Sequence, residues 1–457
     1  MADVASQPTR YPLTVETIVV GAGAAGLVAA LTAKEAGQDV LVLERDSVPS
    51  GSTALSAGLI PAAGTRFQKS AGIEDDPATF AEDIREKASG ENDPAHVLRL
   101  AEGSAETVEW LASAHGLEFS LVEDFVYPGH SRRRMHGLSE RSGRELVDRL
   151  RAASEVAGID ILCDARAETL HVEGRRIAGL SLARPGGERE DVGCGRLILA
   201  CGGFGADRAR VARHIPSIAE AVWFGHDGHT GDALDWGEAL GAVTDYLGAY
   251  QGHGNVSHPH GILITWAVIA EGGVQINSEG RRFWDESRGY SEAAQVVLAQ
   301  PGGTAIALFD DRISKVARQF ADFRAAESQG AVATADSLED IASRFGLPCD
   351  VLRETVAGLP TDGVDGFGRR FTPPPLAPPY RAARVTGALF HTQGGLRVDE
   401  FARVLGRGDV PFPNLYAAGG AAAGVSGTGD AGYLSGNGLL AATVLGRSAG
   451  RGFASSG

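Results

Sequence analysis

Apolar and polar positions follow two alternating rhythms along this chain, and where one gives way to the other an element ends. Thr17–Val20 is an unbroken β-branched run, residues Ala24 to Glu35 repeat with helical period, Gly37 stops that repeat, and a second apolar run ends at Glu44. The order predicts strand, turn, helix and strand. Helical periodicity returns around residues 78–89 and 95–115. GRRIAGLSLARPGG alternates as a β-hairpin arm does, and RLILACGGFG is an apolar strand that stops on a Gly-rich turn. From about residue 248 the character shifts to histidines, Trp266 and Trp284, then to helices with acidic faces up to about 360. The Pro-rich stretch FTPPPLAPPY closes that region. Residues 385–457 read as short strands, Gly-rich turns and one last helix starting near Gly436.

The first turn carries chemistry. Gly21, Gly23 and Gly26 sit between the first strand and its helix, and Glu44 ends the next strand. In such a unit Gly21 makes the tight turn, Gly23 lets the backbone approach a pyrophosphate, and Gly26 lets helix and strand pack closely. The helix N-terminus offers free N–H groups to phosphates, and Glu44 is placed to hydrogen-bond an adenosine ribose. The expectation is a dinucleotide site. Its domain is discontinuous, residues 1–247 and 377–457, with residues 248–376 inserted as a second domain.

Composition narrows the partners. The 457 residues, 43% of them hydrophobic, can bury a large core. A net charge of −16 excludes the basic patches that nucleic acid requires. No signal peptide or membrane span is visible, and Cys163, Cys194, Cys201 and Cys349 lack metal spacing, so a cytoplasmic protein with reduced thiols and no metal is expected. The 62 glycines suggest many tight turns and backbone–ligand contacts.

Seven segments in order resemble the flavoprotein family of soluble fumarate reductases and 3-ketosteroid dehydrogenases, especially its Δ4-type members. They follow the N-terminal glycine unit: GSTALSAGLI (51–60), ILACGGFG (198–205), GHTGDALDWGEALGA (228–242), GGVQINSEGRRFWDE (272–286), FHTQGGLRVD (390–399), NLYAAGGAAAG (414–424) and LSGNGLL (434–440). The resemblance implies an α/β fold, a Rossmann-like FAD-binding domain with an inserted α+β cap domain that carries part of the substrate site. It implies FAD held by Gly21, Gly23, Ala24, Ala25, Gly26, Glu44 and Arg45, by Ser52, Thr53, Ser56, Ala57 and Gly58, by Ala200, Gly202 and Gly203, by Asp232, by Gly419, and by Gly436, Asn437 and Leu439. Cys201 replaces the usual Thr, and Gly420 stands where a Glu often contacts the ribitol. GSTALSAG lacks the histidine that links flavin covalently in respiratory relatives, so binding is expected to be non-covalent.

The departures from the family pattern carry the expected function. The arginine that delivers a proton in fumarate reductases falls at Tyr290, the arginine that clamps a carboxylate at Tyr433, and the Glu–Arg proton relay at Trp266 and Ile269. A phenol cannot replace a bidentate guanidinium as a carboxylate's charge partner. It does suit a ketone: Tyr433 can donate to the carbonyl oxygen, and Tyr290, with a lowered pKa or a relayed proton, can take the α proton while hydride passes to the flavin. Tyr433-Leu434-Ser435 resembles the Tyr-x-Ser of the Δ4-type dehydrogenases, so Tyr290, Tyr433 and Ser435 are the expected catalytic residues. His253, His391 and Thr265 match positions that touch one substrate carboxylate in fumarate reductases, and with Trp266 and Gly436 they complete the expected substrate site. The expected activity is desaturation next to the ketone of a steroid or a smaller oxo-alicyclic compound, such as an oxocyclohexane carboxylate, with oxygen, a quinone or a soluble carrier taking the electrons. Two alternatives stand beside it. An alignment with one gap would bring Arg288, two residues from Tyr290, to that site and restore an enoate reductase, and a non-catalytic electron carrier would keep the fold alone.

Overall fold

The computed structural model describes residues 3–6, 10–124 and 126–452. Its larger sheet grows from the apolar runs just read. Leu13–Val20 lies between two parallel neighbours, Val40–Leu43 on one side and Arg189–Leu199 on the other, in the register Ile18↔Leu41 and Ile18↔Leu197. Pro411–Ala417 continues the parallel run beyond Arg189–Leu199, and Asp160–Leu162 extends it beyond Val40–Leu43. Central parallel strands are covered on both faces, which explains why Val40–Leu43 is apolar throughout and wholly buried. The alternating stretch forms Arg176–Ala183, paired antiparallel with Arg166–Glu173 and with the first half of Arg189–Leu199. The carboxyl ends of the parallel strands, at Glu44, Gly21, Ala200 and Ala418, therefore open side by side, where α/β sheets receive ligands.

Ala24–Glu35 is the helix after the glycine turn, and its first ten residues are buried on every side. Glycines make that possible. A Cβ on Gly26 would overlap the Gly21 carbonyl oxygen, so strand and helix close only around a glycine there. On the opposite face the terminal helix Asn437–Arg451 presses Gly446 against the Ala25 carbonyl, where a Cβ would sit 2.5 Å from the oxygen.

The second sheet is built on Tyr380–Thr392, which pairs with Thr304–Asp310, Tyr250–Ser257, Ala333–Ala335 and Val222–Trp223; Val274–Ile276 lies beyond Thr304–Asp310. This strand of 13 residues follows directly on the Pro-rich stretch and is longer than the short strands expected there, because partners on both sides satisfy its backbone. Helices Tyr290–Leu298, Asp311–Ala317, Ala321–Ser328, Leu338–Phe345 and Cys349–Ala357 accompany this sheet. One apolar cluster crosses between the sheets, with Leu59, Met135 and Tyr433 from one side packed with Trp266, Trp284, Tyr290 and Phe320 from the other. A buried ion pair adds to it: Lys87, ending the helix Pro77–Lys87, meets Glu292 in Tyr290–Leu298, and its Nζ donates to the Arg288 carbonyl at 2.6 Å. Among the described residues no helix is long and apolar enough to cross a membrane, and no group of histidine, cysteine and acidic side chains could hold a metal ion.

Candidate active site

One cavity of about 1830 Å³, its open mouth included, joins the carboxyl ends of the parallel strands to residues of the second sheet. Gly21, Gly23, Ala24, Ala25, Glu44, Arg45, Ser52, Thr53, Ser56, Ala57, Gly58, Ala200, Gly202, Asp232, Gly419, Gly436 and Leu439 line it, as do Tyr290, Tyr433, Ser435, His391, His253, Thr265 and Trp266.

Three expected cofactor contacts lie off the wall. Gly26 is occupied with closing the helix on its strand. Gly203 lies behind Gly202, where a Cβ would overlap Thr392 Oγ1. Asn437 is fully buried, and its Nδ2 donates to Ser426 Oγ at 3.2 Å.

At the strand ends the residues suit a dinucleotide. Gly23 decides the point. A Cβ there would meet no protein atom closer than Thr53 Oγ1, at 3.5 Å, and its backbone is in an ordinary extended conformation (φ −76°). Nothing in the protein demands a glycine at that position, whereas a pyrophosphate lying against the backbone does. Glu44 accepts from the backbone N–H groups of Ala22 (2.9 Å) and Asp46 (3.0 Å), which leaves each oxygen a further lone pair for ribose hydroxyls. Burial pushes its pKa up against those two bonds. Thr53 Oγ1 accepts the Ala24 N–H at 3.1 Å, so one of the helix's free donors is already taken.

The far end is a cage of rings and hydroxyls. Tyr290 opens Tyr290–Leu298 behind Gly289, and Tyr433 and Ser435 come from the turn that enters Asn437–Arg451. The rings of Tyr290 and Tyr433 lie 6.0 Å apart, edge to face, and the Tyr290 hydroxyl hydrogen-bonds with those of Tyr433 and Ser435. Burial drives both phenols up, Tyr290 well above 10 and Tyr433 to about 12. The Gly438 N–H, the Tyr290 hydroxyl and the Gly436 N–H all hold the Tyr433 rise in check. The lowered Tyr290 pKa that a direct base requires is absent; only the relayed-proton role remains.

Two neutral imidazoles face the same space. His253 stacks between Tyr290 (4.8 Å) and Phe390 (5.2 Å), and its Nδ1 accepts the Asn255 N–H at 3.1 Å, so Nε2 carries the proton. Gln393 Oε1 accepts from Ser426 Oγ at 3.1 Å, which turns its amide nitrogen to His391 Nδ1 at 2.8 Å and leaves His391 with an Nε2–H as well. Burial lowers their pKa values to about 3 and about 4, so neither is charged at neutral pH. Thr265 Oγ1 accepts the Ala267 N–H at 3.3 Å and keeps its own proton to donate.

Arg288 does not line the cavity: it is exposed, and its hydrogen bonds among the described residues are backbone ones, its N–H to the Asp285 carbonyl and its carbonyl from Lys87 Nζ. Arg45, Arg141 and Arg166 do line the wall. The terminal N–H groups of Arg141 are spent on the carbonyls of Ser120, Gly137 and Leu121 and on Ser120 Oγ, at 2.7–3.2 Å, so none is left to grip a carboxylate. Arg134 and His136, in SRRRMHG, lie off the wall. Arg134 is buried against Asp75 and Asp83, and His136 bonds Thr65 Oγ1 at 2.9 Å. Sequence reasoning missed His229, Arg141, Phe320, Asp322 and Phe390 on the wall. His229 precedes the TGD motif and could have been found; Asp322, inside an ordinary amphipathic helix, left no signal.

A dinucleotide trough leading into a cage of phenols and imidazoles defines a flavoprotein oxidoreductase. Comparison with known proteins agrees. The sequence profile described as FAD binding domain matches residues 16–439. Over 447 residues the chain is 31% identical to the probable fumarate reductase Ifc3 of Shewanella frigidimarina, covering 96% of this chain and 74% of that one. The open conformation of a flavocytochrome c3 fumarate reductase superposes with a TM-score of 0.80 at 30% identity, over 96% of this chain and 78% of that one. The 3-ketosteroid-Δ4-(5α)-dehydrogenase of Rhodococcus jostii RHA1, solved with 4-androstene-3,17-dione, gives 0.76 at 25% identity, over 98% of each chain. The chain belongs to the FAD binding domain family, and it is an FAD-dependent oxidoreductase acting on carbon–carbon single or double bonds.

Proposed function

We propose that the protein desaturates a cyclic ketone, forming a C=C bond between the α and β carbons. The observation that carries this reading is the hydrogen-bonded group Tyr290–Tyr433–Ser435 on the cavity wall, with Arg288 off that wall. Bound FAD supplies a two-electron acceptor for hydride. Tyr433, polarised by the N–H groups of Gly436 and Gly438, donates to the ketone oxygen and stabilises the enolate charge that develops there. Tyr290 takes the α proton only while giving up its own, because burial keeps it from ionising beforehand. In this reading residues 248–376 form the cap that brings Tyr290 over the residues 1–247 and 377–457 that hold FAD, and an external acceptor removes the electrons.

The second end of the substrate meets neutral donors, His253, His391 and Thr265. They suit a single carboxylate or carbonyl and not two carboxylates, which would need charge partners in so buried a place. His253 stacks directly on Tyr290, so the two ends of the substrate lie about one ring apart. A compact oxo-alicyclic carboxylate meets that spacing better than a steroid. Reduction of a small enoate is the second reading, favoured by relatives such as the urocanate reductase of Eggerthella lenta, 28% identical over 462 residues.

Anaerobic mixing of the holoenzyme with 4-oxocyclohexane-1-carboxylate, cyclohexanone, a saturated 3-oxosteroid and succinate separates these. The oxocyclohexane carboxylate should bleach the flavin fastest and succinate should leave it oxidised. Fast reoxidation of dithionite-reduced enzyme by fumarate, with no bleaching by any ketone, would establish the second reading instead.

A further inference from the structure

Removing hydride and a proton from adjacent carbons leaves the proton inside the cavity. Tyr290 cannot store it: a neutral phenol that receives one proton must release another. Tyr433 and Ser435 hand protons on but are no better as final acceptors. His253 and His391 are locked as neutral donors by Asn255 and Gln393, and burial opposes their charging. A proton acceptor must therefore come from elsewhere on the wall.

One carboxylate stands on that wall next to the apolar cluster of the tyrosines. Asp322 is the second residue of Ala321–Ser328, and it lines the cavity two residues after Phe320, which packs in the same cluster as Tyr290 and Tyr433. It is half-buried, and among the described residues its side chain has no ion pair and no hydrogen-bond partner. The charged side chains around it are committed elsewhere. Arg318 pairs with Glu327, and Arg324 donates to the Arg318 carbonyl. From the facing walls come Tyr127, Arg141, Tyr290 and Tyr433; burial is what raises its affinity for a proton. The other carboxylates on the wall lie at the strand ends and are engaged: Glu44 is held by two backbone N–H groups, and Asp232 Oδ1 accepts from Thr230 Oγ1 at 3.1 Å.

We propose that Asp322 is the proton port of the active site: it receives the proton that leaves the α carbon through Tyr290 and releases it at the cavity mouth. The covalent change is one C–H bond broken at the α carbon and one O–H bond formed on the Asp322 carboxylate, with the electron pair left in the enolate. The hydride from the β carbon goes to FAD as in the proposed reaction, on which this inference rests. Burial raises Asp322 to about 6, so it is an ionised acceptor at neutral pH and a filled one in mild acid. The phenols do not titrate in that window, so an acid limb that disappears in Asp322→Asn belongs to Asp322.

The test compares wild-type holoenzyme with Asp322→Asn and Asp322→Glu. First, ¹³C-carboxyl-labelled aspartate is followed by NMR in the resting holoenzyme, where the resonance missing from Asp322→Asn should titrate near pH 6. Second, flavin reduction by 4-oxocyclohexane-1-carboxylate is timed between pH 5 and 9. Wild type should slow below pH 6; Asp322→Asn should be at least 10-fold slower at pH 7 and show no acid limb, with FAD content unchanged; Asp322→Glu should restore part of the rate and move the limb. If no ketone bleaches the flavin, the ketone reading fails alone, and the same variants are timed with dithionite-reduced enzyme and fumarate, since a proton must travel the same path inward. Asp322→Asn with wild-type rate and an intact acid limb, or a carboxyl that titrates in the ordinary carboxylate range, would overturn the proposal in either direction.

Discussion

At the scale of single residues, the proposed reaction divides one task between two tyrosines by their surroundings. Tyr433, with backbone N–H groups at its hydroxyl, is the proposed donor to the ketone, and Tyr290, without them, the proposed conduit. Tyr433→Phe should lower flavin reduction by the ketone by about two to three orders of magnitude, as losing a donor to a developing oxyanion does, with FAD still bound. Tyr290→Phe should be equally slow and change substrate binding little. Stopped-flow reduction of each variant checks both, and near wild-type rates would remove the phenols from the reaction. Gly23 allows a cleaner test of the trough. Gly23→Val places its side chain where the protein has room, so the apoprotein should melt within a few degrees of wild type while FAD retention after gel filtration is lost. A variant that keeps full flavin would show that the pyrophosphate lies elsewhere.

At the scale of elements, the strand–glycine–helix unit was readable because each level of the sequence agreed with the next. The buried run Val40–Leu43, the all-round burial of Ala24–Ala33 and the close approach at Gly26 all follow from residue types in sequence. At the far end of the cavity, sequence alone placed only individual residues on the wall, Tyr290, Tyr433 and Ser435 among them. The tautomers of His253 and His391 depend on Asn255 and Gln393, and the exposure of Arg288 on where Gly289 turns the chain, none of which has a local pattern. Lys87 and Glu292 are a further long-range pairing that no periodicity announces. Both side chains are nearly buried, 13% and 7% exposed. Lys87→Met leaves Glu292 charged and alone, and should cost about 3 kcal/mol in urea unfolding of the holoprotein. Adding Glu292→Gln should return most of that loss. An unchanged midpoint in Lys87→Met would mean the pair contributes no net stability.

At the scale of the whole molecule, neutral histidines buried throughout the core set its acid stability. His96, His130, His136 and His391 are lowered to about 4, and His229 and His253 to about 3, mainly by burial. Below pH 6.5 the unfolded chain binds protons that the folded chain refuses, so stability falls as pH drops from about 6.5 toward 4. Each unit of pKa difference is worth about 1.4 kcal/mol, and even two or three of these groups amount to several kcal/mol. Urea midpoints should therefore fall steeply between pH 6.5 and 4.5, and a flat profile would mean these rings are hydrated in solution. The FAD family and the α/β architecture belong to this scale too, and the chain declared them through many weak signals spread over its length and not through one strong motif.

The apolar cluster that spans the two sheets seats both tyrosines. Tyr433 is rooted beside the terminal helix and Tyr290 in a helix of the second sheet, and their hydroxyls meet only when those parts are docked. In the proposed reaction the pair therefore belongs to neither part alone: a substitution that loosened this seam would part the two hydroxyls and silence the chemistry while each sheet stayed folded.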